Sequence, residues 1–85
     1  MYKRWYFWFQ GFTFKVYETC DKGNHIKGYA TLGMAQEACL SDINCTMIAD
    51  FSCTEYLFWT CSGPVVSSYD ETCTWVKGIF FNIEY

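Results

Sequence analysis

The chain has 85 residues, of which six are basic and nine acidic, giving a formal net charge of −3; 52% are hydrophobic and 22% aromatic. This length builds one small domain, and such a domain removes only roughly 60–65% of its unfolded surface on folding, so its core needs reinforcement. The basic residues, Lys3, Arg4, Lys15, Lys22, Lys27 and Lys77, are scattered along the chain, which argues against nucleic-acid binding, a function that rests on a concentrated cationic patch.

Reinforcement comes from six cysteines, at positions 20, 39, 45, 53, 61 and 73. An even number of well-spaced cysteines is the usage expected where thiols oxidise, so the chain reads as a secreted or extracellular domain held by three disulfides. Spacing alone leaves all fifteen possible connectivities open. The opening run, Met1 to Phe9, has the basic start of a signal peptide, but its apolar part lacks Leu and Ala and is broken at Gln10-Gly11. It is also too short to cross a bilayer. A secreted domain without a leader would be a mature fragment or a piece of a longer precursor.

In chain order, residues 3–9 are aromatic on both faces, which does not fit a half-exposed strand. Phe12 to Tyr17 alternates as a strand does, with Phe12, Phe14 and Val16 on one side. Cys20 follows, and Asp21-Lys22-Gly23-Asn24 has turn chemistry. Ile26 to Tyr29 forms a short extended piece. The one good helix candidate opens at Thr31, a capping residue, and runs through Gly33 to Leu40; Leu32, Ala35, Cys39 and Ala38 share a face, so Cys39 points at the core. Asp42 and Asn44 stop it. Cys45 to Phe51 and Glu55 to Cys61 read as strands, Ser62-Gly63-Pro64 as a turn, Val65-Val66 as a brief strand and Asp70-Glu71 as a bend. Cys73 to Lys77 and Ile79 to Ile83 finish the chain. The predicted fold class is α+β, a small disulfide-rich domain with one short helix packed across an antiparallel sheet.

This order of features resembles a PAN/apple-like domain. The resemblance rests on Tyr17-Glu-Thr-Cys20, on Gly28 through Cys39, on Ser41-Asp-Ile-Asn-Cys45, on Cys53, on Tyr56 to Cys61 and on Cys73-Thr-Trp-Val-Lys77. It makes residues 1–85 a single domain with a PAN/apple-like core at 14–77 and aromatic extensions at both ends. The gap between the two helix-region cysteines is wider than in classical apple domains, which marks a divergent member. The resemblance implies nested disulfides, Cys20–Cys73, Cys39–Cys61 and Cys45–Cys53. A chain in which Cys39 and Cys61 are unlinked would lose that assignment. It also implies a module that contacts an extracellular protein or a glycan.

Chemistry-bearing patterns are few. No Cys-x-x-Cys pair exists and His25 is solitary, so neither a metal site nor a redox motif is expected, and no cofactor. Serines 41, 52, 62, 67 and 68 lie outside any nucleophile-elbow pattern, and Asp70-Glu71 and Asp50/Glu55 read as solvated carboxylates, so no catalytic residue is expected. Asn44-Cys45-Thr46 fits the N-glycosylation acceptor pattern and makes Asn44 a candidate glycan site. Binding candidates are Tyr56, Phe58 and Trp59, read as one strand with Tyr56 and Phe58 on one face and Trp59 on the other, and Lys27 toward an anionic partner. The aromatic stretches Trp5 to Phe9 and Ile79 to Ile83 are expected to pack on each other within one chain, with a homodimer through them as the alternative; membrane contact is not expected. The functional expectation is a non-catalytic extracellular module that binds protein or carbohydrate. The competing one is a secreted toxin-like or inhibitory polypeptide acting on a protein target.

Overall fold

The computed structural model describes residues 11–78. The expected packing of residues 5–9 on residues 79–83 lies outside them. In order come strands β1 (Phe12–Val16) and β2 (Glu18–Cys20), a 3-10 turn (Lys22–Asn24), β3 (His25–Tyr29), helix α1 (Leu32–Ser41), β4 (Met47–Phe51), β5 (Phe58–Cys61), β6 (Val65–Ser67) and β7 (Thr72–Lys77). Five strands form one sheet in the order β1-β7-β4-β5-β3, and β2 and β6 form a separate ribbon. Every pairing is antiparallel. The expected architecture of one helix on an antiparallel sheet is present, and the ribbon adds a layer on the other side.

Strand β4 lies at the centre of the sheet and shows why the stretch Met47-Ile48-Ala49 is apolar without alternation: both its faces are covered. Ile48 packs with Ala35, Cys39, Cys45 and Phe58 on the helix side, joined by Phe12, Tyr29, Leu32 and Trp75. Met47 and Ala49 pack with Cys20 and Cys61 on the ribbon side, joined by Trp59 and Val65. The ribbon is tied down further by the Thr74 hydroxyl of β7, which donates to the Glu18 carbonyl. Thr74 and Thr72 are both buried. The sheet therefore packs Phe12, Phe58 and Trp75 against the helix and turns Thr74 toward the ribbon.

Helix α1 begins as its sequence suggests. The Thr31 side chain accepts from the Met34 N–H at 3.2 Å, satisfying one of the orphan donors of the first turn. Ala35 and Cys39 are its buried residues. At the other end, Lys77 reaches over from β7, and its Nζ donates to the carbonyls of Cys39 (2.7 Å) and Asp42 (2.9 Å). A cation there satisfies helix-end carbonyls and complements the negative end of the helix dipole.

All six cysteines are paired, in a connectivity different from the nested one that the resemblance implies. The bonds are Cys20–Cys61, Cys39–Cys45 and Cys53–Cys73, with Cα–Cα separations of 6.2, 5.1 and 5.1 Å. None of Cys20–Cys73, Cys39–Cys61 and Cys45–Cys53 forms. The reason is the sheet itself. Cys39 belongs to the helix-side cluster and Cys61 to the ribbon-side cluster, so the central layer separates them. Cys39 instead meets Cys45, six positions on, as the chain turns back from the helix. On β7, Cys73 shares its face with Trp75, two positions along, which packs on the helix side; Cys20 lies in the ribbon on the opposite side.

Candidate functional site

The antiparallel registers bring several connections to one end of the sheet. Phe51, the last residue of β4, pairs with Thr72 at the start of β7, and Val16, the last of β1, pairs with Cys73. The β4–β5 loop (52–57), the β6–β7 loop (68–71) and the β1–β2 corner at Tyr17 therefore lie together. They are fastened to one another. Cys53 bonds Cys73; the Ser52 N–H donates to the Glu71 carbonyl at 2.9 Å, the Tyr17 N–H to the Thr72 carbonyl at 3.0 Å, and the Ser68 N–H to the Tyr17 carbonyl at 3.0 Å.

The β4–β5 loop is held in an unusual shape. Ser52, Cys53 and Glu55 have φ values of 65°, 53° and 65°, left-handed conformations that cost an L-residue roughly 1–2 kcal/mol each. Buried Asp50 helps to hold it, with its Oδ2 accepting from the Glu55 N–H at 3.0 Å and its carbonyl from the Cys53 N–H at 3.1 Å. Asp50 Oδ1 has no hydrogen-bond partner among the described residues.

This fastened backbone presents aromatic side chains to solvent. Tyr69 is fully exposed, Tyr56 is 82% exposed and Tyr17, itself at φ 64°, is 54% exposed; Leu57 and Phe51 are partly open beside them. The charged side chains of the two loops, Glu55, Asp70 and Glu71, are all acidic and exposed. Tyrosines on a rigid backbone give large amphipathic contact area at a low entropic cost, and surrounding carboxylates favour a cationic or hydroxyl-rich partner.

The candidates from the sequence separate here. Tyr56 is exposed, but it stands in the loop, because the strand expected from Glu55 begins only at Phe58. The left-handed Glu55 rules out extended pairing there, so Tyr56 and Phe58 do not share a strand face. Phe58 is buried under the helix, where its ring meets Trp75 edge-on at 5.9 Å. It is a core residue and is unavailable for contact. Trp59 is half-buried on the ribbon side, stacked on His25 with centroids 5.1 Å apart. Lys27 is exposed on edge strand β3 with its Nζ 5.4 Å from the ring centroid of Tyr29, which pairs with Phe58 at the start of β5. Asn44 is exposed in the turn after the helix, its N–H donating to Asp42 Oδ1 at 2.9 Å. The Thr46 hydroxyl of the same acceptor pattern donates to the Gly63 carbonyl at 2.7 Å.

Sequence reasoning missed Tyr17, Tyr69 and the surroundings of His25. Tyr69 carried a readable cue, a lone aromatic between Ser67-Ser68 and Asp70-Glu71 where a turn is expected. His25 carried none. The register of β3 on β5 shifts between His25 and Lys27, a bulge that turns His25 toward the ribbon side, opposite Cys61. Gly28 lies beneath Leu57: a Cβ there would stand 3.1 Å from Leu57 Cδ1, a tight contact, and 3.5 Å from Trp59 Cη2, an ordinary one.

No protein-family model matches the chain, and searches of curated proteins and of solved structures return no match.

Proposed function

We propose that the protein is a non-catalytic, extracellular binding module, and that its contact surface is the tyrosine-bearing end formed by Tyr17, Tyr56 and Tyr69. The observation that carries the reading is the exposure of these three rings on loops that are fastened by Cys53–Cys73 and by the Asp50–Glu55 hydrogen bond. A small domain has no folding reason to hold strained backbone while leaving such rings in water. Rigid loops also lose little entropy on binding, which favours affinity.

The partner class is a protein with a basic surface or a glycan, since exposed aromatic rings flanked by carboxylates suit either. Both are tested at once by exposing the folded, oxidised chain to a glycan array and to a panel of extracellular proteins. The double variant Tyr56→Ala/Tyr69→Ala is expected to weaken whatever binding is found by at least about tenfold, since aromatic anchors typically contribute 2 kcal/mol or more. It should leave the thermal midpoint within a few degrees. Binding that survives this variant unchanged would place the contact surface elsewhere.

A further inference from the structure

We infer that Cys20, Cys61 and His25 form a reduction-gated zinc site, a second way of fastening the ribbon to the sheet. The two sulfurs and a ring nitrogen of His25 lie within 4.8 Å of one another. A tetrahedral zinc with two thiolates and one imidazole needs ligand atoms about 3.5–3.8 Å apart, given Zn–S near 2.3 Å and Zn–N near 2.0–2.1 Å. The two sulfurs are bonded to each other in the oxidised state and can take up that spacing only once reduction lets them separate.

Three further observations favour the assignment. His25 is brought to the disulfide by the β3 bulge, which places it in register with Cys61. Its Nε2 is buried and has no hydrogen-bond partner among the described residues, so a ring nitrogen is left without a protein partner. The ring is held between Trp59, stacked at 5.1 Å, and Phe51, tilted at 5.4 Å; an apolar shell of this kind orients a ligand. Cys20 and Cys61 are themselves 3% and 0% exposed. Charge balance suits that burial, since Zn²⁺ with two thiolates and a neutral imidazole is a neutral assembly. Among the described residues, this is the group of three or more metal-ligating side chains that close together.

The chemistry is explicit. A dithiol reductant transfers two electrons and two protons to the Cys20–Cys61 bond, which breaks, and the reductant becomes its own disulfide. Zinc then displaces the two thiol protons, binds both sulfurs and takes the imidazole lone pair, with the fourth position left to water. The ligands come from β2, β3 and β5, so the metal spans the same junction that the disulfide spans when oxidised.

The test uses the full chain, reduced with excess dithiol, desalted under nitrogen and titrated with Co²⁺ and then Zn²⁺. One equivalent of Co²⁺ should give a thiolate-to-cobalt charge-transfer band, which Zn²⁺ removes, and zinc should raise the thermal midpoint or restore the near-ultraviolet circular dichroism of the reduced protein. His25→Gln should weaken zinc affinity by at least about tenfold, the lower end of what even an outer-shell partner contributes. Cys20→Ser/Cys61→Ser should abolish the one-equivalent band, although four other cysteines remain. The proposal is overturned if the reduced wild type takes up no metal, if His25→Gln binds zinc as tightly, or if Cys20→Ser/Cys61→Ser keeps the same band.

Discussion

Phe58 and Tyr56 are two positions apart, and a continuous strand would put them on the same face. Glu55, left-handed at φ 65°, ends that continuity, and the two aromatic rings separate, one 5% and the other 82% exposed. Their substitutions should behave accordingly. Phe58→Ala is expected to cost about 3–5 kcal/mol, because it empties a site enclosed by Ile48, Trp75 and the helix. Tyr56→Ala should stay within about 0.5 kcal/mol in a urea melt. Equal costs at the two positions would mean that Tyr56 is packed and is no contact residue. Aromatic content was legible in the sequence, but the destination of each ring was not. It depends on a backbone conformation that no residue type at Ser52, Cys53 or Glu55 signals, since none of the three is glycine. Gly63 is the contrary case: its φ of 80° falls in a Ser-Gly-Pro turn that the sequence announces, and a Cβ there would collide with the Asn24 side chain.

At the scale of elements, helix and sheet are joined by packing, by one short disulfide loop and by Lys77. The helix was legible because its signals are local: the Thr31 cap, the spacing of Leu32, Ala35 and Cys39, and the stop at Asp42. The link from Lys77 was not, because it spans 38 and 35 positions in sequence and depends on β7 lying beside β4. An isolated lysine reads as solvated, yet here its side chain serves two helix-end carbonyls. Lys77→Met is expected to lose about 1–2 kcal/mol, since it removes two charge-assisted hydrogen bonds while the carbonyls of Cys39 and Asp42 keep the N–H donors of Asp42 and Cys45. Lys77→Arg should recover part of that loss. Chemical denaturation of both variants measures it, and a neutral Lys77→Met would show that water replaces the ammonium without cost. The cysteine pairing was illegible for the same reason of distance. It follows from which face of the sheet each cysteine occupies, and for Cys61 that is set by the alternation of Phe58, Trp59 and Thr60, in which two neighbouring aromatics give no indication of which points to the helix.

The described residues form a three-layer stack, with the helix on one side of the sheet, the ribbon on the other, and a disulfide serving each region. Cys39–Cys45 closes the helix exit, Cys20–Cys61 joins ribbon to sheet, and Cys53–Cys73 fastens the tyrosine-bearing end. In a chain-entropy picture, loops of 6, 20 and 41 residues correspond to about 2, 3 and 4 kcal/mol. The largest contribution thus falls on the junction between layers, where the core is divided by the sheet, and the next on the loops offered as a contact surface. Both the binding proposal and the metal proposal depend on this connectivity, the first through Cys53–Cys73 and the second through the meeting of Cys20 and Cys61 beside His25. The fold class was legible because it follows from periodicity and one capped helix. The second layer was not, because β2 and β6 are three residues each and their pairing joins Glu18 to Ser67 across the length of the chain. The most direct measurement is non-reducing peptide mapping of the folded protein. Fragments linking Cys20 to Cys61, Cys39 to Cys45 and Cys53 to Cys73 are the expected result; a fragment linking Cys39 to Cys61 would contradict the layered arrangement.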